Sequence, residues 1–391
     1  MKSIKEIDIE NKRVLIRADL NVPIDDEGNV TDPNRIKQFL PTLKEVLDRS
    51  GKAIVMSHLG RPDGKSDPRY SLKPVAKAME ELLGKPVKLA PDCIGQEVEA
   101  LVNEMGNGDV ILLENLRFHK GEKENDAEFS SMLAKLGDVY INDAFATAHR
   151  AHTSIVGVAK HFSEKGCGLL LEKEIKYCSE TLENPARPFC VILGGAKVKT
   201  KLKALINIST KADKIIIGGA MANTFLASQG IQMGKSLVER DYFGEAIKLI
   251  ADLARRECTL YLPVDVVVGP NISEKGVGRP VPVQEIPADC MALDIGPATS
   301  ILYKEAIQTC ETIIWNGPMG MFEHEDYAAG TTDMIETLAQ CHGMTVIGGG
   351  DTDAAIHKMQ LAHKFDYIST GGGAFLALLE GKPLPGIEAL Q

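Results

Sequence analysis

Residues 190–206 read CVILGGAKVKTKLKALI. Cys190 to Leu193 is an unbroken apolar run that two glycines end, and from Val198 apolar residues return at Leu202, Leu205 and Ile206, the spacing of one helix face. A strand that is apolar at every position is buried on both sides. That points to a parallel sheet between layers of helices rather than a half-wet antiparallel one. The same sequence of run, polar or glycine-rich turn and helical pattern recurs along the chain. Further runs stand at Arg13–Arg17, Ala53–Met56, Val110–Leu113 and Val139–Ile141 in the first half, and at Lys214–Ile217, Thr312–Trp315, Thr345–Ile347 and Tyr367–Ile368 in the second. The expected fold is therefore α/β, with two doubly wound, Rossmann-like parallel-sheet domains.

The segment Leu169 to Leu182 is apolar at helical spacing, with no breaker before Pro185 and Pro188. It reads as a connecting helix and a proline-stiffened joint. The expected division is 1–168 and 189–379, joined through a hinge over 169–188, with the breaker-rich end of the chain, 380–391, packing back on the first domain. The stretch Gly381 to Gly386 holds too many breakers to read as helix.

With 391 residues, 44% hydrophobic and 25% charged, the chain can bury more than one core. The net charge of −10, shared evenly between the halves, argues against binding nucleic acid or an anionic membrane surface. An anionic ligand would need a local cluster of cations. One candidate is the window Arg187 to Lys211, whose charged residues are Arg187, Lys197, Lys199, Lys201, Lys203 and Lys211, with no acid among them. The eight cysteines form no C-x-x-C pair or zinc-like spacing, so free, buried thiols in a reducing cytoplasm are expected. Met1 to Arg13 has no apolar core of a secretory signal, and no run reaches the length of a membrane span. A cytoplasmic monomer is the expectation.

Ligands of parallel sheets bind beyond the carboxyl ends of the strands. In the first half these endings supply Arg17, Asp19, Asn21, His58, Arg61, Arg117 and Arg150, with Arg35 near them in sequence. Converging arginines suit a small, highly charged anion, because the planar guanidinium pairs two-pronged with carboxylate or phosphate; singly, each could equally be a surface ion pair. In the second half the endings are glycines: Gly194, Gly218, Gly349, Gly350 and Gly371 to Gly373. Glycine lets backbone amides approach a phosphate, although each cluster could also serve a tight turn alone. Lys197 and Lys201, four apart after Gly194-Gly195, would project from one face near a helix N-terminus, where cations are unfavourable unless an anion compensates. Asp351 and Thr352 could hold nucleotide-bound Mg²⁺ and a phosphate oxygen, or be an ordinary helix start. The Walker, dinucleotide-fingerprint and protein-kinase motifs are absent.

In order and spacing, several segments resemble the phosphoglycerate kinase family over essentially the whole chain. They are Arg17-Ala-Asp-Leu-Asn-Val-Pro23, Ser57-His-Leu-Gly-Arg-Pro62, Leu113-Glu-Asn-Leu-Arg-Phe118, Asn142-Asp-Ala-Phe145 with Ala148-His-Arg-Ala-His152, Gly194-Gly-Ala-Lys-Val198, Asp294-Ile-Gly-Pro297, Trp315-Asn-Gly-Pro318, Gly348-Gly-Gly-Asp-Thr352 and Ser369-Thr-Gly-Gly-Gly373. The resemblance implies reversible, Mg²⁺-dependent phosphoryl transfer between 1,3-bisphosphoglycerate with ADP and 3-phosphoglycerate with ATP, with the domains closing for the reaction. It implies a 3-phosphoglycerate site at Asp19, Asn21, Arg35, His58, Arg61, Arg117 and Arg150, with His149 close by. It implies nucleotide contacts at Gly194, Lys197, Lys201, Gly218, Asn316, Pro318, Glu323, Gly349, Gly350, Asp351, Thr352 and Gly371, with Asp351 facing the metal. Arg35, Lys197 and the amides of Gly372 and Gly373 are the expected stabilisers of the moving phosphoryl group. Ala146, Thr200, Ala220 and Ala298 depart from residues common in the family, and none of them removes an implied catalytic side chain. Two rival functions suit a two-domain α/β chain: a nicotinamide-dependent dehydrogenase, disfavoured by the missing fingerprint, and a non-catalytic anion-binding protein of two hinged domains.

Overall fold

The computed structural model describes residues 1–391, apart from the side chain of Glu180. Its contacts divide the chain into two compact units, residues 1–176 with 383–391, and residues 177–382. No helix among the described residues is long and apolar enough to cross a membrane.

The first unit is built on six parallel strands: β1 (Arg13–Ala18), β2 (Lys52–Met56), β3 (Lys88–Leu89), β4 (Val110–Leu112), β5 (Val139–Asp143) and β6 (Lys165–Cys167), in the order β3-β4-β2-β1-β5-β6. Leu15 stands beside Ile54 on one side and Tyr140 on the other, and all three are fully buried. The order of strands reverses at β1, so a crevice opens between the ends of β1 and β5. The helix Asn34–Asp48 lays Ile36, Phe39, Leu40, Leu43, Val46 and Leu47 against this core, and so fixes Arg35 in its first turn.

The second unit repeats the plan with β7 (Phe189–Leu193), β8 (Lys214–Ile217), β9 (Thr259–Tyr261), then β13 (Thr312–Asn316), β14 (Met344–Gly348) and β15 (Tyr367–Ile368), ordered β15-β14-β13-β7-β8-β9 and parallel throughout. Its switch point lies between β7 and β13. The fully buried Trp315 on β13 donates its indole N–H to the carbonyl of Gly317 at 2.7 Å, tying the core to the loop beyond that strand.

Every apolar run read from the sequence is a strand. The short outer strands β3, β6 and β9 were not expected, nor was the small antiparallel sheet made by β10 (Asp265–Gly269), β11 (Arg279–Pro282) and β12 (Met291–Ile295), with its own core of Leu226, Met233, Val266, Val268, Val283, Ile286 and Cys290. Strand β11 carries two prolines, which only an edge strand accepts, and this one is at an edge. The connecting segment is helical over Leu169–Glu174, continues as a π-helix over Ile175–Glu180 and ends over Thr181–Glu183. At the C-terminus the breaker-rich stretch does run into a helical turn, Pro385–Glu388, because Pro385 sits at its first position, where no N–H is needed. Gly386 N–H donates to the Ala148 carbonyl at 2.9 Å, so the chain end braces the loop that carries His149 and Arg150.

Candidate active site

The first unit gathers cations where its strand order reverses. Arg17, at the end of β1, is 1% exposed; its Nε donates to Ser154 Oγ at 2.8 Å and its guanidinium also reaches the Ala18 carbonyl. A terminal nitrogen lies 3.1 Å from His58 Nδ1. A guanidinium can only donate, so Nδ1 accepts and the neutral His58 ring carries its proton on Nε2. Burial first, and then Arg17, Arg117 and Arg150, hold the His58 pKa well below its ordinary value, outweighing the attraction of Asp19. His152 is pushed down to about 4 by burial and the same arginines. The positive charge of this crevice at neutral pH therefore belongs to arginine.

Those arginines are short of acceptors. Arg117 gives one N–H to the Gly60 carbonyl at 2.6 Å, while its buried Nε has no hydrogen-bond partner among the described residues. Burial, with Arg150 and Arg17 nearby, lowers even this guanidinium to about 10. Like charges held together in a half-buried place are unfavourable unless an anion joins them. Two carboxylates of the chain offer part of that compensation. Glu122, fully buried, accepts from Ser154 N at 3.0 Å and Ser154 Oγ at 2.7 Å; Asp19 pairs with Arg35. Burial works to raise the Asp19 carboxyl, but the combined pull of His58, Arg35, Arg17 and the Asn21 N–H brings it below the usual range. Asn21 accepts from Gly60 N–H at 2.8 Å and shapes the loop between them. Arg150 donates from Nε to His149 Nε2 at 3.2 Å, and Arg61 is exposed on the loop after β2. Arg17, Asp19, Arg35, His58, Arg117 and Arg150 thus form one electrostatic group, with Asn21 as its support.

In the second unit a cavity of about 370 Å³ opens at the switch point, walled by Lys197, Lys201, Asn316, Pro318, Gly349, Gly350, Asp351, Thr352, Gly372 and Gly373. Gly195, Ala196, Thr200, Gly317 and Leu376 complete it, and none of these five is among the nucleotide contacts expected from the sequence. Gly317 has φ of 99°, and a Cβ there would collide with the backbone carbonyl of Gly194, so both conformation and space demand glycine. Gly194, Gly218 and Gly371 lie behind the walls: Gly194 and Gly218 pack against the Pro318–Met319 segment, and the Gly371 N–H is taken by Ser369 Oγ at 3.0 Å. Thr352 is fully buried and its Oγ accepts from Gly317 N–H at 2.8 Å, fixing the loop from behind.

The two lysines differ from expectation. They do not share a helix face, because the helix begins at Val198 and Lys197 is its extended, exposed N-cap. Lys201 turns inward and donates to the carbonyls of Gly194 at 2.7 Å and Asn316 at 2.9 Å; burial lowers its pKa to about 8 despite the pull of Asp351. The anion that the helix N-terminus requires is supplied by the chain itself, since the Glu239 carboxylate accepts from the N–H groups of Val198 and Lys199. No local signal announces a partner some 40 residues away.

A second, more apolar cavity of about 280 Å³ shares Gly195, Ala196, Pro318 and Asp351 with the first and adds Leu237, Ile272, Met291, Leu293, Met321 and Glu323. Leu237 and Ile272 are each 48% exposed, an unfavourable state that a flat apolar ligand would relieve.

Known proteins match the chain over nearly its whole length. The family model described as phosphoglycerate kinase matches residues 4–382. The phosphoglycerate kinase of Desulfotalea psychrophila is 50% identical over 391 residues, covering 100% of both chains, and that of Aquifex aeolicus is 52% identical over 384 residues, 98% of this chain and 96% of the relative. Among solved structures, phosphoglycerate kinase from Coxiella burnetii matches with a TM-score of 0.90 at 39% identity, and that from Pyrococcus horikoshii with 0.88 at 32%; each match covers 100% of this chain and 98% of the other.

Proposed function

The chain belongs to the phosphoglycerate kinase family, and from that premise we propose how its residues divide the reversible transfer of a phosphoryl group between 1,3-bisphosphoglycerate with ADP and 3-phosphoglycerate with ATP. The arginine cluster of the first unit receives 3-phosphoglycerate: Arg17, Arg61, Arg117 and Arg150 have donors for the phosphate, while Asp19, Asn21 and His58 orient the rest of the molecule. The glycine-lined cavity receives the nucleotide phosphates, with Lys201 and Lys197 as point charges and the Gly349, Gly350, Gly372 and Gly373 backbones close to them. The apolar cavity takes the base, and Glu323 faces the sugar hydroxyls.

Asp351 suits a magnesium ion: it is an exposed carboxylate on the wall of both cavities, and Mg²⁺ is commonly held by one or two carboxylates together with substrate phosphates and water. Bound there with the nucleotide, the ion would neutralise phosphate charge. In the ATP-consuming direction a carboxylate oxygen of 3-phosphoglycerate forms a bond to the γ-phosphorus as the bond to the β-bridging oxygen breaks, and ADP leaves. The acceptor carries no proton, so no general base is required. Arg35, Lys197 and the amides of Gly372 and Gly373 stabilise charge on the oxygens of the moving group. We place the reaction in the cytoplasm and the protein as a monomer.

The observation that carries this reading is the surplus of guanidinium donors in the first crevice, above all the partnerless Nε of Arg117. The test is ADP formation from Mg-ATP and 3-phosphoglycerate by the purified protein. Turnover is expected, and Arg35→Ala or Lys197→Ala should lower it by about 10²–10³-fold with the fold preserved. Binding of 3-phosphoglycerate with no ADP formed would reduce the protein to an anion binder.

A further inference from the structure

The first unit also holds donor atoms that phosphoryl transfer does not use. Asp92 and Cys93 lie on the loop between β3 and the helix Gln96–Asn103, and His119 follows the turn Leu116–Phe118. His119 Nε2 is 2.7 Å from Asp92 Oδ1, and with the Cys93 thiol these donor atoms all lie within 4.8 Å of one another. Ligands around a tetrahedral zinc ion, at about 2.0–2.3 Å from the metal, stand about 3–4 Å apart, so small side-chain rotations suffice to close them on an ion.

The three groups are already oriented. The His119 ring is stacked on Phe129 with centroids 5.1 Å apart, and Asp92 Oδ1 accepts from the Cys93 backbone N–H at 2.6 Å as well as facing His119. Cys93 is fully buried, whereas the side chains of Asp92 and His119 are 44% and 30% exposed, which leaves a way in from solvent. One imidazole, one thiol and one carboxylate suit a borderline transition metal. A hard ion such as Mg²⁺ or Ca²⁺ prefers oxygen alone.

We propose that Asp92, Cys93 and His119 form a three-ligand site for a divalent metal of the zinc class, with the fourth position open to water. On binding, the metal–sulfur bond replaces the S–H bond and the proton passes to solvent; nothing is oxidised or reduced. The site is separate from the nucleotide's magnesium, which belongs to Asp351 in the other unit.

The test is titration of the full-length protein with Zn²⁺ against a chelator and, in parallel, with Co²⁺. One equivalent should bind with a thiolate-to-cobalt charge-transfer absorption that Cys93→Ser abolishes although the other seven cysteines remain. His119→Ala, at a partly exposed position, should weaken Zn²⁺ by at least about tenfold. Unchanged ADP formation with magnesium alone should verify both variants as folded. Absence of the band in the wild-type protein, an undiminished band in Cys93→Ser, or equal Zn²⁺ affinity in His119→Ala would each overturn the proposal.

Discussion

Lys201 shows how far a residue's neighbours determine what it can do. Its amine bridges the carbonyls that end β7 and β13, and burial leaves it with a pKa of about 8. A phosphate bound beside it favours the charged form, so nucleotide binding should draw on a proton that the free protein loses as pH rises through 8. ADP affinity measured by calorimetry should accordingly fall between pH 7 and 9, approaching about tenfold per unit on the alkaline side, where the phosphates themselves no longer titrate. In Lys201→Met the affinity should be lower at pH 7 and nearly flat with pH; an equally steep profile in that variant would assign the proton elsewhere. That a lysine pair follows Gly194-Gly195 is plain in the sequence, but their different settings are not. Helical spacing places Lys197 and Lys201 on one face only if both are helical, and the Glu239 carboxylate decides where the helix begins.

At the scale of elements, two strands carry a buried acid that the sequence does not mark as unusual. Asp143 ends β5 and accepts from Leu171 N–H at 2.9 Å; Asp294 on β12 accepts from Gly330 N–H at 2.7 Å and Ile295 N–H at 2.9 Å. Burial raises both carboxyls to about 7 against those hydrogen bonds. The folded state then binds these protons more tightly than the unfolded chain, so their contribution to stability is complete below about pH 4 and is lost as pH rises through 7. Urea unfolding should show Asp143→Asn and Asp294→Asn gaining on the wild type over that window, by on the order of 2–4 kcal/mol each. A difference that does not change with pH would mean that the native carboxyls titrate normally. The central parallel strands were legible because burial on both faces leaves an unbroken apolar run, which the short, partly exposed β3 and β9 and the glycine-containing β6 lack. The antiparallel sheet was not, since β11 reads Arg-Pro-Val-Pro and pairs with a strand only because the fold leaves it an edge.

At the scale of the molecule, each unit has its own parallel sheet and core, and by our proposal each takes its own ligand. Hydrogen exchange should separate them. 3-Phosphoglycerate should protect amides after β1, β2, β4 and β5, and ADP those of residues 194–201, 316–323 and 349–352; protection in the opposite units would reverse the assignment of ligands. The sequence by itself determined the class of fold, the central strands of both parallel sheets and the residue types at their ends, because apolar periodicity and glycine punctuation are local properties of the chain; the outer strands β3, β6 and β9 carry no such run. Tertiary structure alone decided which of those ends meet. Arg17, Arg117 and Arg150 crowd into one acceptor-poor crevice, Lys201 faces inward and Glu239 occupies a helix start, because strand order and long-range packing bring together charges that lie far apart along the chain.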